Sequence, residues 1–250
     1  MQGDAGMSFW DHLDVLRGAL IRVLISVVFS SAVVFCFKSF VFDYLILAPA
    51  DGNFFIYKAL GVDFHMDLIN IEISAQFFTH IKVSVILGIV ISFPYIIFEI
   101  WRFIAPALYE NEMRAVKRAF GFSSILFYLG VAVGYLIVLP VTLNFFQSYS
   151  VSDSIVNTIT LDSYISMLSS MVLLFGLVFE FPTVLAILSK IGIVHREMLR
   201  KYRKHAIVAI LVVAAIITPA DPFSMLIAAL PLYLLYEISV LVCARKEVAA

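Results

Sequence analysis

Charge is scarce in this sequence. Only 14% of its 250 residues are Asp, Glu, Lys or Arg, 17 basic against 18 acidic, and the net charge at neutral pH is -1. With no basic tail, nothing points to nucleic acid as a partner. Heptad runs, low-complexity tracts and internal repeats are missing, so the chain reads as one domain. The motifs of enzyme chemistry are missing too: there is no HExxH, no GxSxG, no phosphate-cradling glycine loop and no pair of aspartates inside the apolar runs. The five histidines, His12, His65, His80, His195 and His205, have no ligand spacing. No catalytic residue, metal or cofactor is therefore expected.

What the chain has is apolar length. Hydrophobic residues make up 62% and the mean hydropathy is +1.02, far beyond what a soluble core needs. Apolar runs fall at about 20–40, 77–98, 120–146, 164–188, 206–218 and 223–242. They lack the two-residue alternation of barrel strands, and in hydrocarbon each backbone amide needs a partner within its own segment. The expectation is an all-α integral membrane bundle of six transmembrane helices in a single polytopic domain, 1–250. The first run is too long for a removable signal peptide and lacks a small-residue cleavage site. Basic residues sort to one side: Arg17 and Arg22 at the start, Arg102 to Arg118 between runs two and three, Lys190 to Lys204 between four and five, and Arg245 and Lys246 at the end. Of the 17, only Lys38, Lys58 and Lys82 fall elsewhere. Both termini are therefore expected in the cytoplasm. Cys36 then lies near the outer end of span one and Cys243 near the inner end of span six. They cannot pair, and both read as small buried apolar side chains. Spans five and six are short. The 13 residues of 206–218 reach only about 20 Å, a mismatch that thins the bilayer locally or demands packing partners.

Two acidic settings stand out. In "WRFIAPALYENEMRAVKRAF", 101–120, Pro94 and Pro106 restrict the backbone, so the chain should turn near Pro106 and resume as a short helix along the cytoplasmic surface. Glu110 and Glu112 there fit either a solvated face with local ion pairs or an acidic, aromatic-lined patch for the guanidinium groups of a visiting peptide. In "LLFGLVFEFPTVLAIL", 173–188, Glu180 stands in apolar sequence, roughly 12 to 15 Å from the cytoplasmic end of its helix. An ionised acid at a helix centre costs ~2.5 to 3.5 kcal/mol, so Glu180 should face protein or a water-filled cavity, or stay protonated. Pro182 removes the amide that would bond the Val178 carbonyl and should bend the helix beside the acid, while Gly176, one turn earlier, leaves room for a close approach. A structural acid bonding a neighbouring helix and a partner-binding or gating acid both fit.

The segments "HLDVLR" (12–17), "FFTHIKVSVIL" (77–87), "RFIAPALYENE" (102–112), "LFYLGVAVGYLIVLP" (126–140), "LLFGLVFEFP" (173–182) and "ITPADPFSMLIAALPLYLLYEIS" (217–239) together resemble the TatC family of the twin-arginine protein translocase, in order and over nearly the whole chain. The resemblance implies a non-enzymatic receptor in the cytoplasmic (inner) membrane for folded proteins bearing an S-R-R-x-F-L-K-like signal. It places signal binding on Glu112, with Phe103, Pro106, Leu108 and Tyr109 beside it and the amino-terminal Asp14 and Arg17 opposite. Glu180 falls on the family's intramembrane acid, with Asp221 and Met225 in the associated polar segment. Single-span TatA or TatB proteins would dock near span five, with self-association in a receptor complex. Three positions depart from the family pattern. Val15 stands where a second acid is usual, the carboxylate lying at Asp14; Met225 replaces a glutamine, so the polar cluster around Glu180 should be smaller; and His80 replaces a proline. A rival reading is a proton-coupled six-span secondary transporter using Glu180, against which stand the lack of a second buried charge and of an inverted repeat.

Overall fold

The computed structural model describes residues 9–62, 64, 66–104, 110–152, 157–218 and 222–243, with the backbone alone for 9, 11, 60, 110–119 and 242. The helices are α1 (Phe9–Cys36), the single turn α2 (Lys38–Phe40), α3 (Phe55–Leu60), α4 (Ala75–Ile104), α5 (Glu110–Val133), α6 (Leu139–Ser148), α7 (Leu161–Val178), α8 (Phe181–Lys190), α9 (Arg196–Lys201), α10 (Arg203–Ile217) and α11 (Pro222–Val242). Two short strands, β1 (Leu68–Ile69) and β2 (Ile159–Thr160), pair in parallel between the loops at one end. Five stretches are long and apolar enough to cross a membrane: His12–Cys36, Ala75–Ile104, Phe120–Ser148, Leu161–Lys190 and Pro222–Leu241. The remaining apolar run falls on α10, whose 15 residues span about 22 Å. The start of α1, the ends of α4, α8 and α11 and the starts of α5 and α10 share the end of the bundle that carries most of the basic residues, here the basic end.

Two of the long stretches are each made of two helices, and proline marks the joint in both. Pro140 has no amide to bond back one turn, and the chain passes from α5 to α6 through a π-helical segment, Gly134–Val138. Pro182 stands in the first turn of α8, and the helix is interrupted before it at Phe179 and Glu180, as the sequence leads one to expect. A second π-helical segment, Val41–Ile46, turns the chain after α2. Its carbonyls, freed from the regular ladder, accept from tyrosines: half-buried Tyr135 donates to Leu45 O at 2.5 Å, buried Tyr164 to Ile46 O at 2.6 Å and, just beyond, buried Tyr57 to Pro49 O at 2.8 Å. Burial pushes the Tyr57 phenol up from its ordinary value, which keeps its proton available as donor. At the same end Lys82 of α4 donates to Ser166 Oγ of α7 at 2.7 Å.

α1 and α4 run antiparallel and meet through small residues. Ser92 donates to Ser30 Oγ at 2.9 Å and Ser26 lies beside it. A Cβ on Gly88 would stand 2.8 Å from the Ser31 amide nitrogen, so only glycine lets the two backbones approach this closely. α5 packs on α7 through Phe127, which is fully buried, stacks on Phe93 of α4 at 3.5 Å and fills the space over Gly176.

Two expectations are corrected here. The link after α4 does not carry a separate surface helix: α5 begins at Glu110 and runs unbroken into the membrane-length stretch, because no proline interrupts 110–133. Cys36 is exposed rather than buried, whereas Cys243 is buried; both are free thiols.

Candidate functional site

At the basic end, α1 lies against the last turn of α4. The His12 imidazole stacks on the Phe103 ring, centroids 4.3 Å apart and planes 28° from parallel. That contact brings the first turns of α1, with Asp14 and Arg17, alongside the end of α4. Asp14 and Arg17 are exposed and Val15 is half-buried, so a single step along the helix, about 100° of rotation, turns the carboxylate away from the face that Val15 occupies. Phe103 is half-buried. Pro106, Leu108 and Tyr109 lie outside the described residues. Glu112 belongs to the first turn of α5 by its backbone, its side chain outside the description.

One helical turn before Phe103 is a group the sequence reading missed. Glu99 is 2% exposed, and Arg22 of α1 grips it in a fork: Nε donates to Oε1 at 3.0 Å and Nη2 to Oε2 at 2.7 Å. Tyr95, on the same face of α4, donates to Oε1 at 3.0 Å. The expectation of no second buried charge is thereby overturned. Because Arg22 neutralises Glu99, the acid is not free to carry protons as the transporter reading would need. The same constellation recurs on α11, where Arg203 Nη2 donates to Glu237 Oε2 at 2.7 Å and Tyr233 to Oε1 at 3.1 Å. The signal was present as "YIIFE" (95–99) and "YLLYE" (233–237): tyrosine and glutamate four apart on a helix share a face. The arginine partners, distant in sequence, could not be read.

Deeper in the bundle, Glu180 occupies the break between α7 and α8. It is half-buried, and Ser123 Oγ of α5 donates to its Oε2; Oε1 is enclosed and has no hydrogen-bond partner among the described residues. The room above Gly176, expected for an incoming helix, is occupied by Phe127 of the chain's own α5. Met225 is not brought to this acid. The start of α11 packs on α6, Phe223 stacking on Phe145 at 4.3 Å, while Glu180 bonds Ser123, which lies 22 positions before Phe145 in the same span, roughly 30 Å along it. The polar cluster around Glu180 therefore owes nothing to position 225. Asp221 lies outside the described residues. Among the described residues, no group of three or more His, Cys, Asp and Glu could hold a metal.

A family described as Sec-independent protein translocase protein (TatC) matches residues 11–231. Proteins named Sec-independent protein translocase protein TatC are similar along almost their whole length: that of Blattabacterium sp. subsp. Periplaneta americana is 33% identical, with 94% of each chain covered; that of Aquifex aeolicus 36%, with 94% of this chain and 93% of the relative; and that of Escherichia coli K12 35%, with 92% and 85%. A crystal structure of the twin-arginine translocase receptor TatC superposes with a TM-score of 0.76 at 37% identity, covering 92% of this chain and 97% of that one; a second, in DDM, gives 0.78 at 36%. The chain belongs to the TatC family of Sec-independent protein translocase proteins.

Proposed function

We propose that this chain is the signal-peptide receptor and core subunit of a twin-arginine translocase, exporting folded proteins across the cytoplasmic membrane without catalysing a covalent step. Six spans, α10 being the fifth, place both termini in the cytoplasm, and the basic end faces that compartment. The observation that carries the reading is the His12–Phe103 stack. It joins the amino-terminal helix to the end of α4, one wall of the proposed signal groove, whose acid is Glu112 in the first turn of α5. A carboxylate beside an aromatic surface suits a guanidinium pair followed by apolar residues. Asp14 and Arg17, exposed on the same amino-terminal helix, and, by family likeness, Pro106, Leu108 and Tyr109 are assigned to the same binding surface. Glu180, with Oε1 unbonded among the described residues, is the acid that a polar group on a single-span TatA- or TatB-type helix meets, with Asp221 at the opposite membrane surface. Copies of the chain associate in the receptor complex.

The test is photocrosslinking of an S-R-R-x-F-L-K signal, and of its K-K counterpart, to the full chain in native membranes. Wild type should capture the R-R signal and not the K-K one. Glu112→Ala should lose capture and export while the protein stays inserted at normal abundance, and Glu112→Asp should fall between. Full export by Glu112→Ala overturns the proposal.

A further inference from the structure

We propose that Glu99 is a second carboxylate for the arginine pair of the signal, held by Arg22 until a signal arginine displaces it. The inference rests on the receptor reading above and adds a subsite to it. Its geometry is that of arginine recognition already made: Nε and Nη2 of Arg22 engage the two oxygens of Glu99 at 3.0 and 2.7 Å, the bidentate arrangement that any guanidinium takes on a carboxylate. A peptide arginine entering there would exchange one fork for another and form no new kind of contact. Glu99 stands four residues before Phe103 on α4, hence on the same helix face and one turn deeper than the groove wall.

The Arg22 side chain is 39% exposed although its partner is 2% exposed; it lies ten residues into the membrane-length stretch that starts at His12, on an open groove of about 310 Å³ that it lines with Ile25, Ser26, Phe29 and Tyr95. Arg22, Ser26 and Tyr95, whose phenol donates to Glu99 Oε1 at 3.0 Å, give that groove its polar groups; Ile25 and Phe29 are apolar. An arginine followed by phenylalanine and leucine matches such a surface in both charge and hydrophobicity.

A latch between helices does not account for the pair equally well. α1 and α4 are already closed by the Gly88–Ser31 approach and the hydroxyl contacts of Ser26, Ser30 and Ser92. Buried ion pairs are poor stabilisers compared with apolar side chains of similar size. Position 15, where the second acid of the family pattern is expected, holds Val15, and Asp14 is turned outward. Glu99 restores a second carboxylate at the same helix pair, from α4 instead of α1.

The two roles predict opposite signs. The full chain in phospholipid nanodiscs is titrated with a labelled S-R-R-A-F-L-K peptide and its K-K counterpart. If Glu99 receives a signal arginine, Glu99→Gln should weaken R-R binding about tenfold; the amide still accepts from Arg22 and Tyr95, so the fold is kept. Arg22→Gln, which removes the internal competitor, should tighten R-R binding several-fold, and the double variant should behave like Glu99→Gln. The K-K peptide should bind weakly to all. A latch would make both single variants weaker, and shifts in the same direction, or no shift in either, overturn the inference while leaving the receptor reading intact. Glu112→Ala, titrated in parallel, tests that reading separately: if it binds the R-R peptide like wild type, the groove itself is wrong and the second subsite falls with it.

Discussion

Glu180 is held by one good hydrogen bond and one enclosed, unpartnered oxygen, and that imbalance determines what its neighbours contribute. Removing the Ser123 hydroxyl leaves the Thr183 hydroxyl as the remaining donor beside the carboxyl, so Ser123→Ala should destabilise the bundle by ~0.6 to 2 kcal/mol, the range for hydrogen bonds between membrane helices. Glu180→Gln, which still accepts from Ser123, should unfold close to the wild-type temperature. Removing both polar groups, as in Ser123→Ala with Glu180→Leu, should recover much of the loss, since an unmade bond costs more than an absent pair. Thermal unfolding in detergent reads all three, and a double variant no more stable than Ser123→Ala would show that Ser123 does not satisfy the acid. If Glu180 also meets a partner helix, Glu180→Ala should reduce crosslinking to that partner from a nearby cysteine. Substitution at Met225 should leave that crosslink unchanged, because α11 begins far from the acid. The anomaly of an acid in apolar sequence was legible. Its donor was not, because Ser123 is 57 residues away and nothing local distinguishes it from other serines in the span.

At the scale of helices, the α1–α4 seam carries the most consequence, because it builds the groove wall. Gly88→Ala would drive a methyl into the Ser31 backbone, which cannot turn aside as a side chain could. The helices must separate, at ~1 to 3 kcal/mol by the usual cost of overpacking. The His12–Phe103 stack lies on the same seam, so Gly88→Ala should lower both the unfolding temperature and R-R peptide capture; unchanged stability would mean that the seam has slack. The break beside Pro182 was legible in the sequence; the joint at Pro140 was not, since Pro94 and Pro231 leave their own helices unbroken. The continuity of α5 was missed because Pro94 and Pro106 suggest a turn and the charges over 110–118 a surface segment. Helix propagation depends on backbone hydrogen bonding, which charge does not interrupt.

For the molecule as a whole, the basic residues make a prediction independent of any site. A fluorescent protein fused after Cys243 should fold and fluoresce in the cytoplasm, and alkaline phosphatase fused near Asn157 should be active outside; the reverse pattern would invert the bundle and the groove with it. α10 decides whether the count of spans is six, since its 15 residues need a thinned bilayer or neighbours to cross. Medium, helix content, approximate span positions and the break beside Pro182 were determined by the sequence alone. Each depends on composition or on residues within a turn of one another, and hydrocarbon leaves a backbone few alternatives. Tertiary structure decided the rest: that Arg22 reaches Glu99, that Phe127 fills the space over Gly176, that Ser123 serves Glu180 and Met225 does not. Those outcomes depend on the rotation and depth of one helix against another. Side-chain packing between segments sets both, and periodicity within a single helix leaves them open.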